Sequence, residues 1–416
     1  MRITILAVGT LGSVQPFIAL GLGLIRAGHR VTVATTTNLA DYVRECGIAD
    51  CVPVVGDTRR WTAWLARGRS REKMSVVVPT LARRPEKFQA LVEDFFARSV
   101  EAAKGADVLI SSVPGFPVGQ PIANMLGVPH VSAFVQPFHA TRSFPQIFWP
   151  QFAWGAGKGQ ETYNLVTHRL TLWGLQAALG PAVRRARRRV LGAREHHYTR
   201  DSLVLYGYSP ACIPKPADWG PEIHVTGYWF LDRISEWRPS AELVTFLGAG
   251  EPPVYLGLGS LAGVRPEIMD MAVDALRRAG RRGVIATGWS SWSLARPAED
   301  ILVVDSVPHD WLFPRMSAVV HHAGAGTTGA GLRAGRPAVT IPLMYDQFFF
   351  AHHVAAAGVG PHPLSPRTVS GEQLAAAINR VAGDRMMRRR AEQLGETVRS
   401  EAGVERAVQL IEERFS

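Results

Sequence analysis

The stretch from Val319 to Gln347 constrains this chain most. An apolar run, Val319-Val320, ends in His321-His322 and passes into the small-residue turn Ala323-Gly324-Ala325-Gly326. Thr327 to Ala334 then reads as a short helix. Gly335 fits the left-handed residue that closes a helix, Pro337 forbids its continuation, and Ala338 to Pro342 reads as the next buried strand. The unit is strand, glycine-rich turn, helix, strand, which sets backbone N–H groups at the positive end of a helix with no Cβ in the way. It is suited to an anion. His322, Thr327 and Thr328 add donors for phosphate oxygens, while Asp346 and Gln347 stand at the end of the following strand, where ligands of open α/β sheets bind. A carboxylate repels phosphate and suits hydroxyls. Phosphate and sugar on one ligand make a nucleotide sugar.

The rest of the chain alternates in the same way. Arg2 to Val8 is strand-like, Val14 to Ala27 helical with Pro16 in its first turn and Gly28 after its end, and His29 to Thr35 is a second strand. Strands at Cys51 to Val55, Asp107 to Ser111 and His130 to Val135 are separated by helical Asn38 to Cys46, Pro85 to Lys104 and Gly119 to Met125. After a long helical stretch, Thr162 to Leu191, come strands at Ser202 to Tyr206 and Ile223 to Thr226. The second half repeats the pattern, with strands Pro253 to Leu258, Gly283 to Thr287 and Ile301 to Val304, a helix at Pro266 to Ala279, and helical stretches Gly371 to Val381 and Arg385 to Arg414. Alternation of this kind predicts parallel sheets covered by helices. Neither Gly9-x-x-Gly12 nor Gly257-x-Gly259 is the three-glycine dinucleotide fingerprint, and no acidic residue ends the strand after Gly259. A dinucleotide-dependent oxidoreductase is therefore the weaker alternative.

With 416 residues, 47% of them hydrophobic and 19% charged, the chain has material for two domains with separate cores. No apolar run reaches the roughly 18 residues of a membrane span. Met1 to Val8 lacks the cleavage site of a signal peptide. Cys46, Cys51 and Cys212 have neither metal spacing nor an even disulfide set. These features predict a cytoplasmic protein with at most peripheral membrane contact. The net charge of +11 raises nucleic-acid binding, but Arg184-Arg185-Ala186-Arg187-Arg188-Arg189 lies in a helical stretch without interleaved stacking aromatics and reads as a solvated face. Residues 57–79, with Trp61, Trp64 and Met74, read as a pocket-shaping loop. Phe134, Phe138, Phe144, Phe148, Trp149, Phe152 and Trp154 fall where Pro137, Pro145 and Pro150 break regular structure; half of such rings belong to a core, and the others line a hydrophobic acceptor site.

The block from His321 to Thr328 with Asp346-Gln347 resembles the donor-binding signature of family 1 nucleotide-sugar glycosyltransferases, in particular the antibiotic and sterol branch. That pattern reads His-His-Gly-Gly-Ala-Gly-Thr-Thr and then Asp-Gln; Ala323 departs from its first glycine. The opening Gly9-Thr10-Leu11-Gly12-Ser13-Val14-Gln15-Pro16-Phe17 is similar to the family's Gly-Thr-Arg-Gly-Asp-Val-Gln-Pro-Phe and differs at Leu11 and Ser13. Val225 to Trp229 and Val307 to Phe313 also resemble that branch.

The resemblance implies an α/β GT-B fold, two Rossmann-like domains facing a central cleft. Residues 1–227 would bind the acceptor, 228–250 link the domains, 251–395 bind the donor, and a C-terminal helix within 396–416 pack back on the first domain. It implies donor contacts from Gly259, Ser260, Thr287, Trp289, Val307, Trp311, His322, Gly324, Ala325, Gly326, Thr327, Thr328, Asp346 and Gln347. Thr10, Gly12, Trp61, Phe134, Phe138, Phe144 and Phe148 would meet the acceptor. Expected partners are a UDP- or dTDP-sugar and a hydrophobic aglycone, with no metal and no other cofactor, no nucleic acid, and a homodimer compatible with the sequence. In the family the position of Ser13 is an aspartate that takes the acceptor's proton, which a serine hydroxyl cannot do. Three readings remain open: the acceptor needs little activation, another residue such as His139 serves as base, or the protein is an auxiliary that binds donor without turnover.

Overall fold

The computed structural model describes residues 1–60, 85–151, 157–192, 203–232, 237–259, 266–288, 290, 292–294 and 298–416. Among these residues twelve strands form two all-parallel sheets. The first joins β1 (Arg2–Leu6), β2 (Arg30–Thr36), β3 (Cys51–Val55), β4 (Val108–Ser111), β5 (His130–Phe134), β6 (Leu203–Tyr206) and β7 (Ile223–Val225) in the order β3-β2-β1-β4-β5-β6-β7. The second joins β8 (Val254–Gly257), β9 (Gly283–Ala286), β10 (Ile301–Val304), β11 (Ala318–His321) and β12 (Ala338–Thr340) in the order β10-β9-β8-β11-β12. The order reverses between β1 and β4 in one sheet and between β8 and β11 in the other. Each reversal opens a crevice beyond the carboxyl ends of the strands. β1, β4 and β11 are buried along nearly their whole length, as strands covered on both faces must be, and they are built from Val, Ile and Leu accordingly.

Several boundaries differ from the sequence reading. Helix Leu11–Arg26 begins three residues early, so Ser13 lies inside its first turn. Pro121 sits inside helix Phe116–Leu126. The expected helix Arg385 to Arg414 is two, Arg385–Ser400 and Gly403–Phe415, broken at Glu401-Ala402. Gln347–Ala356 is a helix that the sequence reading passed over. Helix Ala241–Gly248 opens at Ser240, whose hydroxyl accepts a hydrogen bond from the Leu243 N–H at 3.2 Å.

The domains share a core. Phe144 from the first and Phe349 from the second meet edge to face at 5.1 Å, within a cluster that also holds Phe134, Tyr206, Tyr208 and Trp219 on one side and Phe350, Val354 and Val398 on the other. The crossing segment is part of this core: Tyr228 and Trp229 are buried, and Trp229 packs against Phe17 at 5.7 Å. The chain then crosses back. Val404, Ala407, Val408 and Ile411 of Gly403–Phe415 join the core under helix Leu11–Arg26, and a Cβ on Gly23 would lie 2.4 Å from Val404 Cγ1, so the two helices touch through the glycine. Among the described residues no helix is long and apolar enough to cross a membrane.

Candidate active site

The donor turn begins at β11. His321 is buried, and its Nδ1 accepts a hydrogen bond from the Ala323 N–H at 3.0 Å, which folds the turn back on the strand end. Burial drives this imidazole down to about 3, so at neutral pH it is the uncharged acceptor that the turn needs. Ala323 adopts φ +62, the left-handed region that costs a residue with a Cβ about 1–2 kcal/mol. That backbone explains why the resembled pattern has glycine here.

Helix Ala325–Arg333 starts two residues earlier than the sequence suggested, with Gly324 as its N-cap. Ala325 and Gly326 are thus its first-turn residues. The first ladder bond runs from the Thr328 N–H to the Gly324 carbonyl at 2.9 Å, leaving the N–H groups of Ala325, Gly326 and Thr327 outside the ladder. No acidic residue occupies this first turn. The two threonine hydroxyls part company, because consecutive helical residues point about 100° apart. Thr328 is turned inward and buried, its Oγ1 without a partner among the described residues, whereas Thr327 stays half-buried. Thr327 is therefore the hydroxyl that a ligand in the cleft can reach.

Three strand ends close around this turn in the order β9, β8, β11. Gly259 (φ +60) and Gly288 (φ +59) bring their loops so close that a Cβ on Gly288 would lie 2.5 Å from the Gly259 carbonyl oxygen. The His322 ring fills what remains. A Cβ on Gly259 would meet its Cε1 at 2.9 Å and one on Gly324 its Nε2 at 2.6 Å, so both glycines are required by the ring. Burial, with the Gly257 carbonyl opposing it, holds His322 down at about 4.

Asp346 caps helix Gln347–Ala356 by position but makes no side-chain capping bond. Its carboxylate is left for the cleft, and burial pushes it up to about 6. Gln347 is committed on one side: its Oε1 accepts from the N–H groups of Leu343 at 2.8 Å and Met344 at 3.0 Å. It thereby clamps a loop in which Tyr345 takes φ +54. Only the amide NH2 of Gln347 is then free of that clamp.

Across the cleft, Gly9 (φ +149) passes so near Ser13 that a Cβ on it would lie 2.8 Å from Ser13 Cβ. Thr10 is the N-cap of helix Leu11–Arg26, and its carbonyl accepts from Ser13 N at 2.9 Å and Val14 N at 3.1 Å. The two helix entrances meet. A Cβ on Gly326 would lie 3.6 Å from the Gly12 carbonyl oxygen, and Leu11 and Ala325 pack on the same core.

The remaining expectations divide. Phe134 and Phe144 are buried core, Phe134 among Phe116, Phe138 and Tyr206 of its own domain and Phe144 against Phe349 of the second. Phe148 is 36% exposed and faces Tyr345 at 6.2 Å, on the Asp346 side of the cleft. Phe138 is half-buried against Phe134. Val307 packs in the second domain's core. Trp311 lies between Trp237, at 5.0 Å, and the Arg315 guanidinium, 4.1 Å over its ring. Thr287 is buried and its Oγ1 donates to Asp305 Oδ1 at 3.2 Å. Trp61, Trp64, Met74, Phe152, Trp154, Ser260 and Trp289 lie outside the described residues.

His139 is held against Tyr206. The Tyr206 hydroxyl accepts the backbone N–H groups of Phe138 and His139, both at 3.0 Å, and lies 2.7 Å from His139 Nδ1. Which ring nitrogen carries the proton sets whether His139 donates to this hydroxyl or accepts from it. Sequence reasoning missed Tyr206 and Tyr345: the first looks like any strand residue, and the second owes its place to a turn with no sequence signature.

Two sheets of one topology, with both crevices opening on one cleft, have the GT-B architecture. Residues 3–145 match the glycosyltransferase family 28 N-terminal domain, and residues 285–413 the erythromycin biosynthesis protein CIII-like C-terminal domain. The chain belongs to the family 1 GT-B glycosyltransferases. Within that family it is similar to a sterol 3-beta-glucosyltransferase of Neosartorya fischeri, at 35% identity over 99% of this chain and 29% of the relative. It is also similar to a sterol 3-beta-glucosyltransferase of Arabidopsis thaliana, at 34% identity over 98% of this chain and 64% of the relative. The chain thus spans less than two thirds of either relative's length. Its fold is that of the solved glycotransferase of kitacinnamycin, with a TM-score of 0.71 at 20% identity, covering 100% of this chain and 99% of that one.

Proposed function

We propose that the chain transfers a sugar from a UDP- or dTDP-sugar to an oxygen of a hydrophobic, sterol-like or polyketide-like acceptor, with inversion at the anomeric carbon. The observation that carries this reading is the approach of Gly326 to Gly12, which sets the donor helix entrance opposite the turn holding Ser13. An acceptor oxygen placed near Ser13 attacks the anomeric carbon in line, the bond from that carbon to the diphosphate breaks, and the electron pair leaves with the diphosphate. Its charge falls on the free N–H groups of Ala325, Gly326 and Thr327, with His322 and the Thr327 hydroxyl beside them. Asp346 and the Gln347 amide hold sugar hydroxyls. In this reading the helix entrance does the work that a metal would otherwise do, and positioning supplies much of the rate.

The acceptor's proton sets the acceptor class. Ser13 cannot remove it, and the Tyr206 hydroxyl, already accepting two backbone N–H groups and 2.7 Å from His139 Nδ1, favours a tautomer whose Nε2 donates, so the favoured acceptor carries an oxygen that is ionised or easily ionised, such as a carboxylate or an acidic phenol. The same absence of a carboxylate supports a second reading, an auxiliary protein that binds donor without transfer. Incubation with UDP- and dTDP-glucose and, in parallel, a sterol, an acidic phenol and a carboxylic acid decides between them by mass spectrometry. Glycoside from the phenol or acid supports transfer. Nucleotide-sugar binding with no glycoside from any acceptor supports the auxiliary reading.

A further inference from the structure

Four of the large hydrophobic side chains exposed among the described residues lie on one helix, Lys158–Leu191: Val166 (42%), Leu170 (46%), Leu172 (51%) and Trp173 (70%). Val166, Leu170 and Trp173 follow the i, i+4, i+7 spacing of one helix face. Eighteen residues make five turns, so Arg184 returns to the side of Val166 and Arg188 to that of Leu170; both are exposed. Neither has an acidic partner among the described residues, whereas Arg189, off this face, is paired with Glu93 at 2.9 Å. One side of the helix is thus apolar in its first half and cationic in its second.

The opposite side is committed. Asn164 donates to the Arg142 carbonyl at 2.6 Å, Thr167 Oγ1 accepts from the Gln146 N–H at 3.0 Å, and Trp149 Nε1 donates to Thr171 Oγ1 at 2.8 Å. These bonds hold the segment that carries Phe148 to its contact with Tyr345. The bare face therefore backs directly onto the acceptor side of the cleft.

We propose that this face docks the protein on an anionic lipid surface, the aromatic and aliphatic residues entering the headgroup region and Arg184 and Arg188 meeting lipid phosphates. Charge chooses the occupant: the chain carries +11 overall, and an apolar stripe with arginines along one helix is what an anionic interface attracts. A second copy fits less well. A twofold pairing centred on the apolar half covers Val166, Leu170 and Trp173 and leaves Arg184 and Arg188 of both copies without an anion. The inference rests on the acceptor being hydrophobic, as the proposed function has it, because docking here would deliver such an acceptor from the lipid to Phe148.

Co-sedimentation of the full chain with phosphatidylglycerol/phosphatidylcholine vesicles and with pure phosphatidylcholine vesicles tests the proposal independently of any transfer reaction. Binding should favour the anionic vesicles, weaken with salt, and fall about tenfold or more in both L170E/W173E and R184E/R188E, with unchanged circular dichroism confirming that the variants fold. Parent protein that ignores anionic vesicles, or variants that bind as well as the parent, would overturn it. So would a dimer in light scattering that L170E/W173E dissociates, which would assign the face to a second copy.

Discussion

The two helix entrances that meet at the cleft are built alike and equipped differently. Helix Ala325–Arg333 and helix Leu11–Arg26 each follow a strand bordering a sheet's reversal point, and each has a first turn free of acid. The entrance of Ala325–Arg333 holds the groups that the proposed function assigns to the diphosphate: N–H donors outside the ladder, Thr327, and His322 wedged between Gly259 and Gly324. The acceptor entrance keeps the backbone and not the carboxylate. Scaffold and chemistry are thus separable here, because a helix entrance is held by packing while a base is held by a single side chain.

The largest effect should come from making the two entrances equal in equipment. Ser13→Asp restores a carboxylate at the acceptor entrance, and transfer to alcohol acceptors near neutral pH should rise by about 10²–10⁴, the range of general-base catalysis. No gain on any alcohol, in product-formation assays at saturating donor, would mean that proton removal never limited the reaction.

Next in size is a change confined to the donor side. His322→Ala should weaken nucleoside-diphosphate binding in calorimetry by about 1.5–3 kcal/mol, the scale of hydrogen bonds to charged groups, while Ser13→Ala leaves that affinity unchanged. Equal losses in both variants would show that the entrances are not independent.

A third test uses pH. Burial pushes Asp346 up to about 6, and in the proposed function its ionised form accepts sugar hydroxyls, so kcat/KM should fall about tenfold per unit as pH drops below that value. Asp346→Asn should lower activity and remove this acid limb. A limb that persists in Asp346→Asn belongs to another group.

Smallest is the strain at Ala323. Replacement by glycine relieves φ +62 and gives back part of the gain as unfolded-chain entropy, so the urea midpoint should rise by the equivalent of at most about 1 kcal/mol. A fall in the midpoint would show that the methyl's packing outweighs the strain.

Much of the donor half was legible because it is local. A strand, turn and helix within Val319 to Arg333 leave their mark in apolar runs, glycines and a closing proline. The start of that helix was misplaced because Gly324, Ala325 and Gly326 have the composition of a loop, and nothing in the sequence announces that Gly324 is already the cap. Asp346 was expected at a strand end but opens a helix, since the strand stops at Thr340 and the left-handed Tyr345 turns the chain. The aromatics were harder. Phe144 reads as acceptor lining because the ring that packs on it, Phe349, belongs to the other domain, and Phe134 because its partners Phe116 and Tyr206 come from distant elements. Ser13 stands out as a departure from a pattern, whereas the Tyr206 bonds that engage His139 join strand and loop residues 67 and 68 positions apart.

The last helix has a practical meaning for anyone who recombines such proteins. Gly403–Phe415 follows the donor half in sequence yet belongs to the acceptor half in space, filling the groove at Gly23 and reaching His29 through Glu412 Oε1 at 3.1 Å. A chimera that exchanges everything after the first crossing would pair one parent's Val404 and Val408 with another parent's Gly23. The better exchange is of an internal cassette, cut near Gly250 and again at Glu401-Ala402, which keeps the packing at Gly23 within one parent and mixes only the shared core around Phe144 and Phe349.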